Sequence, residues 1–102
     1  MKLLNKEIER RIPRITPDCS IYTTGTENDK VYTRFFNAPC NWDWYATHYD
    51  PEHQVFYGWV NAVEKEHGFF SLRELEAFQV ERDLYWYPWK ALPTIKKIKE
   101  EN

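Results

Sequence analysis

Only two cysteines, Cys19 and Cys40, occur in the 102 residues, and they form no Cys-x-x-Cys pair. The opening MKLLNKEIER is broken by charge before any apolar core of a secretory signal can form. A reducing cytoplasm is therefore expected, with both thiols free and no structural zinc. No stretch approaches the ~18 successive apolar residues that a membrane span requires, so no membrane partner is expected. Equally missing are the glycine-rich phosphate loop, the nucleophile elbow and any histidine relay that would announce an enzyme class. Lysine and arginine never gather into the dense basic stripe of a nucleic-acid binder.

What is abundant is aromatic surface: five Trp, seven Tyr and six Phe. Each ring buries ~150–250 Å², so a chain of this length can build one core without a metal or disulfide staple, and the core is aromatic rather than aliphatic. Net charge is −2, unevenly spread. Between residues 41 and 83 Asp43, Asp50, Glu52, Glu64, Glu66, Glu74, Glu76, Glu81 and Asp83 stand against Lys65, Arg73 and Arg82 alone. Such an acidic centre favours a basic protein surface over a phosphate backbone; a merely solvated acidic face is the plain alternative.

Along the chain, Leu4, Ile8 and Ile12 form one helical stripe, with Asn5 as cap, Arg10 and Arg11 in the last turn and Pro13 as stop. ITPDCSIYTTGTENDK reads as a long surface connection. KVYTRFFN and WDWYATHY read as strands, the second alternating Trp42, Trp44, Ala46 and His48 with Asp43, Tyr45, Thr47 and Tyr49. Asp50-Pro51 then suits a turn into QVFYGWVNAV. After EKEHG, Ser71 and Glu74 make a capping box that opens a helix over SLRELEAF. QVERDLYWYPW resumes strand character until Pro88. This order predicts an α+β fold: an antiparallel sheet of about four to five strands with helices packed on one side. A single domain is expected, its globular core spanning 1–92 and a charged tail 93–102.

The segments MKLLNKEIERRIP, VYTRFFNAPCNWDWYATHYDPEHQVFYGWV, HGFFSLRELEAF and VERDLYWYP, in this order, resemble a bacterial domain-of-unknown-function family, the one numbered 2958, found largely on plasmids, phages and integrated mobile elements. The matching positions include Leu3, Leu4, Glu7 and Ile8; Phe35 and Phe36; Trp44 to Thr47; Asp50 to Glu52; Phe56 and Gly58; Gly68, Phe70 to Leu72, Glu74 and Leu75; and Glu81 to Leu84. Asn5, His48 and Trp59 depart from the family pattern, as does the short link between Phe78 and Val80. The resemblance implies a mobile-element accessory role. It brings no catalytic residues.

Three classes of site can be weighed. His48, Asp50 and His53 offer metal-capable groups near one turn, but zinc needs three or four converging ligands, so no metal and no cofactor are expected. Glu64/Glu66 and Glu81/Asp83 are carboxylate pairs two residues apart that a small enzyme would use as acid and base; the simpler reading of Glu81, Arg82 and Asp83 is a structural charge network. The third class is contact. Neighbouring aromatics on a strand point to opposite faces, so one covered face leaves Trp42, Trp44, Tyr57 and Trp59, or else Tyr45, Tyr49 and Phe56, against loops or solvent; two covered faces are the alternative. Arg34, Trp42, Trp44, Tyr57, Trp59, Asp43, Glu64 and Glu66 are accordingly the candidate residues for a protein partner. The expected function is a non-catalytic, protein-binding accessory protein, in its most concrete form a counter-defence inhibitor of a host complex such as a CRISPR effector. A single-stranded nucleic-acid module stacking bases on the same aromatics is the alternative binding class.

Overall fold

A computed structural model describes residues 3–15, 27–86 and 92–101. Helix α1 (Lys6–Arg11) is capped as its sequence dictates: the Asn5 Oδ1 accepts from the Ile8 N–H at 2.8 Å. Leaving it, residues 13–15 run beside the sheet, where the Tyr49 N–H donates to the Pro13 carbonyl and the Ile15 N–H to the Tyr49 carbonyl.

The sheet consists of β1 (Thr33–Asn37), β2 (Trp42–Asp50), β3 (Val55–Asn61), β4 (Lys65–Ser71) and β5 (Glu81–Arg82), between them helix α2 (Leu72–Ala77), with helix α3 (Ile95–Glu101) at the end. Its order is β4-β3-β2-β1-β5, and every pairing is antiparallel. The fold is α+β. β4 occupies the segment KEHGFFS, whose charges and glycine depress strand propensity; an edge position tolerates them, because only one side of the strand is paired. α2 starts at the expected capping device, with the Glu74 N–H donating to the Ser71 Oγ at 3.0 Å.

β2 does not alternate as its sequence suggests. The register against β3 shifts between Ala46 and His48, a bulge that leaves Thr47 as the extra residue and flips the parity of the strand beyond it. Tyr49 therefore joins Trp44 and Ala46 on one face, while His48 joins Tyr45 on the other. Gly58, opposite Ala46, makes room: a Cβ there would collide with the Tyr45 carbonyl oxygen of β2.

Both faces are covered. On the first, Phe35, Trp44, Ala46, Tyr49, Phe56 and Phe70 pack under Leu4, Ile8 and Ile12 of the α1 region and Leu75 of α2. On the second, Tyr45 and Trp59 pack with Val31, Ile95 and Ile98. The segment expected to be a charged tail thus carries an amphipathic helix, with two isoleucines one turn apart as its apolar stripe. Helices on one side describe α1 and α2; α3 takes the other. Lys99 of α3 sits over the Trp59 ring, 4.2 Å from its centroid, and its Nζ bonds Glu27. No helix among the described residues is long and apolar enough to cross a membrane.

Candidate contact surface

Arg34 on β1 lies opposite Tyr45 of β2, and the Phe36–Asp43 pair beside it puts Asp43 on the same face. The Arg34 guanidinium pairs with Asp43 through one nitrogen and donates through the other to Asp83 at 3.1 Å. The guanidinium also lies over the Phe36 ring, its carbon 4.8 Å from the ring centre. Burial alone would lower the Arg34 pKa, but the charge of Asp43, its hydrogen bond and a further one with Tyr45 outweigh it and raise the group above its ordinary value. Asn61 reaches the second oxygen of Asp43 at 3.5 Å.

Arg34 therefore works inward. The charge network the sequence assigned to Glu81, Arg82 and Asp83 is in fact Asp43–Arg34–Asp83. Consecutive strand residues point to opposite faces, so Arg82 turns away and donates to the Leu3 carbonyl at 3.1 Å, while Glu81 is exposed. Three more contact candidates are corrected by burial: Trp44, Tyr57 and Trp59 are each under a tenth exposed, as is Asp43. Trp44 and Trp59 belong to the two cores, and Tyr57 packs among His48, His67 and Phe69. Trp42 stays half-buried at a sheet end, edge-on to Trp44 at 6.3 Å and to Phe78 at 6.2 Å. Glu64 and Glu66 are exposed at the β3–β4 turn.

The exposed large hydrophobics among the described residues are a set the sequence did not single out: Tyr85 is 89% exposed, Val63 84%, Leu84 62%, Phe78 52% and Phe69 46%. Leu84 and Tyr85 are adjacent, in a turn held from several sides. The Asp83 N–H donates to the Arg34 carbonyl at 2.9 Å and the Tyr85 N–H to the Asp83 Oδ1 at 3.0 Å. The Trp86 N–H donates back to the Asp83 carbonyl, and its indole Nε1 to the Val31 carbonyl at 3.0 Å. The Trp86 ring rests on Tyr45, centroids 6.1 Å apart. A two-residue β5 lets the chain leave the sheet edge here, so Leu84 and Tyr85 project from a fixed base.

Glu81 and Asp83 do not come together as a carboxylate pair. Glu81 and Asp83 border different clefts, and Asp83 is committed to Arg34. At the β2–β3 turn, Asp50, Glu52 and His53 can bring one ligand atom each within 4.8 Å of one another. That arrangement is accounted for by the turn itself: Asp50 accepts from the Glu52 N–H and from the His53 ring at 2.7 Å. This contact lowers the Asp50 pKa and raises that of His53. His48, two residues before Asp50 on β2, bonds Thr47 instead; burial lowers its pKa. His67 stacks on Tyr57 and sits edge-on to Trp59, and burial, then the Lys99 charge, lower its pKa. Cys40 is exposed and free, and Cys19 lies outside the described residues.

No family model, no curated protein and no solved structure matches the chain.

Proposed function

We propose that this chain is a non-catalytic protein-binding module whose partner is seized by the Leu84–Tyr85 turn. The observation that carries the reading is an aromatic side chain, 89% exposed, on a backbone fixed by Asp83, Arg34 and Trp86. Tyrosine is enriched among interface hot spots because it offers a large apolar ring and a polar tip with few rotamers to freeze. Fixing the turn beforehand lowers the ordering cost of association. Exposed Glu81, which lines a cleft together with Glu76, lends the β5 edge an acidic character that suits a basic partner.

The mobile-element setting comes from the family resemblance, and within it we propose a counter-defence role by protein contact, with a host complex such as a CRISPR effector as the target. The test is affinity capture from a bacterium carrying the element and its defence systems, followed by titration of the purified partner. Wild type retains a specific partner, and Tyr85→Ala loses it. Salt-sensitive binding of single-stranded DNA with no protein partner would replace this reading with the nucleic-acid one.

A further inference from the structure

Beside the proposed contact turn lies a cleft of about 210 Å³ between α1 and the β1/β5 edge. Its apolar wall is Ile8, Leu84 and Trp86, and Thr33 forms part of its lining. Thr33 is 1% exposed and its Oγ1 has no hydrogen-bond partner, the one such buried side-chain atom among the described residues. A buried, unpaired hydroxyl costs free energy, and native chains rarely keep one without use. Asn5 also lines the cleft; its Oδ1 caps α1, while its amide nitrogen makes no bond among the described residues.

The charges around the cleft are already committed. Glu7 is held by Arg10 and Arg11, Asp83 by Arg34, and Arg82 donates to the Leu3 carbonyl. An ionic ligand would find no uncommitted counter-charge, so the complementary guest is uncharged. The space exceeds the ~30 Å³ share of one water and falls short of the ~300–1,000 Å³ of drug-sized pockets, which is the scale of one large side chain. An apolar wall with an unspent amide and an unspent hydroxyl calls for a flat apolar body with a neutral donor–acceptor tip.

We propose that this cleft receives the phenol of a tyrosine on the partner protein, its ring against Ile8, Leu84 and Trp86 and its hydroxyl serving Thr33 and Asn5. The assignment rests on the protein-binding reading and specifies how the partner is held. Leu84 then has two roles, one side to the partner's surface and the other to the inserted ring.

The test uses the full chain, with N-acetyl-tyrosinamide, N-acetyl-phenylalaninamide and p-cresol titrated by amide and indole NMR shifts. The expected result is saturable shifts at Ile8, Thr33, Leu84 and the Trp86 indole. Tyrosinamide binds about two- to ten-fold more tightly than phenylalaninamide, the worth of one neutral hydrogen bond. Thr33→Val erases that preference while keeping or raising the melting temperature, because it removes an unpaired hydroxyl. Leu84→Arg, at an exposed position, weakens all three ligands. Equal binding of the two amides, a preference that survives Thr33→Val, or shifts elsewhere overturns the cleft assignment. Binding of p-cresol with exclusion of tyrosinamide overturns it in favour of a free small phenol. Failure of tyrosinamide while the captured partner still depends on Tyr85 removes the cleft alone; success with a partner indifferent to Tyr85 removes the turn alone.

Discussion

Arg34 and Asp83, 49 residues apart in sequence, meet at 3.1 Å and fix the point at which the chain leaves the sheet. The same guanidinium holds Asp43, so one side chain ties two strands to the contact turn. Arg34→Ala strands a largely buried Asp43 carboxylate and frees the turn. The expected loss is about 1–3 kcal/mol, the figure for a buried pair discounted for partial solvent access. Arg34→Lys recovers little of it, because a single ammonium lacks the planar fork that serves two carboxylates. Urea denaturation checks both variants.

Gly58 and Gly68 are cross-strand partners on β3 and β4 with opposite tolerance. Gly58→Ala drives a methyl into the β2 backbone and is expected to cost more than about 4 kcal/mol or to abolish folding. Gly68→Ala meets nothing within 4 Å and stays within about 0.5 kcal/mol of wild type. Thermal melts of the two variants, compared directly, decide this.

The third helix is part of the core. Ile95→Ala opens a cavity beneath Tyr45 and Trp59 and costs about 2–5 kcal/mol. Removing residues 93–102 bares the Trp59 face and shifts tryptophan emission to the red. Unchanged stability on truncation would return the segment to the status of a charged tail.

Three histidines divide by environment, which a proton NMR titration reads directly. His53, its pKa raised by Asp50, titrates above the ordinary 6.5; His48 and His67, lowered by burial, titrate below it. Each shift carries its own sign for stability. The His53 contribution is complete below 6.5 and disappears as pH rises through its folded value, and that of Asp50 is complete above 3.8 and disappears as pH falls through its own. Their pair is at its strongest between these limits. For His48 and His67 the neutral folded form is favoured, so stability is full above 6.5 and falls as acid protonates them. Asp50→Asn brings His53 back toward the ordinary value and leaves the other two unmoved.

The parts of this fold visible in the sequence are those with local chemistry. Asn5 caps α1, Ser71 and Glu74 box the start of α2, and the aromatic runs mark β1 to β3. The β2 bulge is hidden because nothing in Ala46-Thr47-His48 forces it; the neighbouring strand accommodates the close approach at Gly58, and a glycine inside a strand was the available signal. That missed bulge reversed the facing of Tyr49 and His48. β4 escaped notice because an edge strand accepts lysine, glutamate and glycine. α3 showed only Ile95 and Ile98 against five charges, too little stripe to separate a docked helix from a tail.

The contact surface was less legible than the fold. Counting aromatics singled out Trp44 and Trp59, which α2 and α3 help to bury, and Tyr57, packed among His48, His67 and Phe69, whereas Tyr85 stands out because a long-range bond from Arg34 to Asp83 turns the chain there. No local pattern encodes that. Arg34 was found for the right chemistry in the wrong direction, as the support of the surface and not its contact.

Tyr85 is the residue on which the account depends, and its side chain makes little structural contribution. Tyr85→Ala should leave the melting temperature within about a degree or two of wild type, consistent with an exposed position. The decisive measurement is the affinity of the purified partner for wild type and for Tyr85→Ala by isothermal titration calorimetry. A loss of about thirty-fold or more, the worth of a ~2 kcal/mol hot spot, is the predicted result. Equal affinities in two equally folded proteins would contradict the account and move the partner to another face.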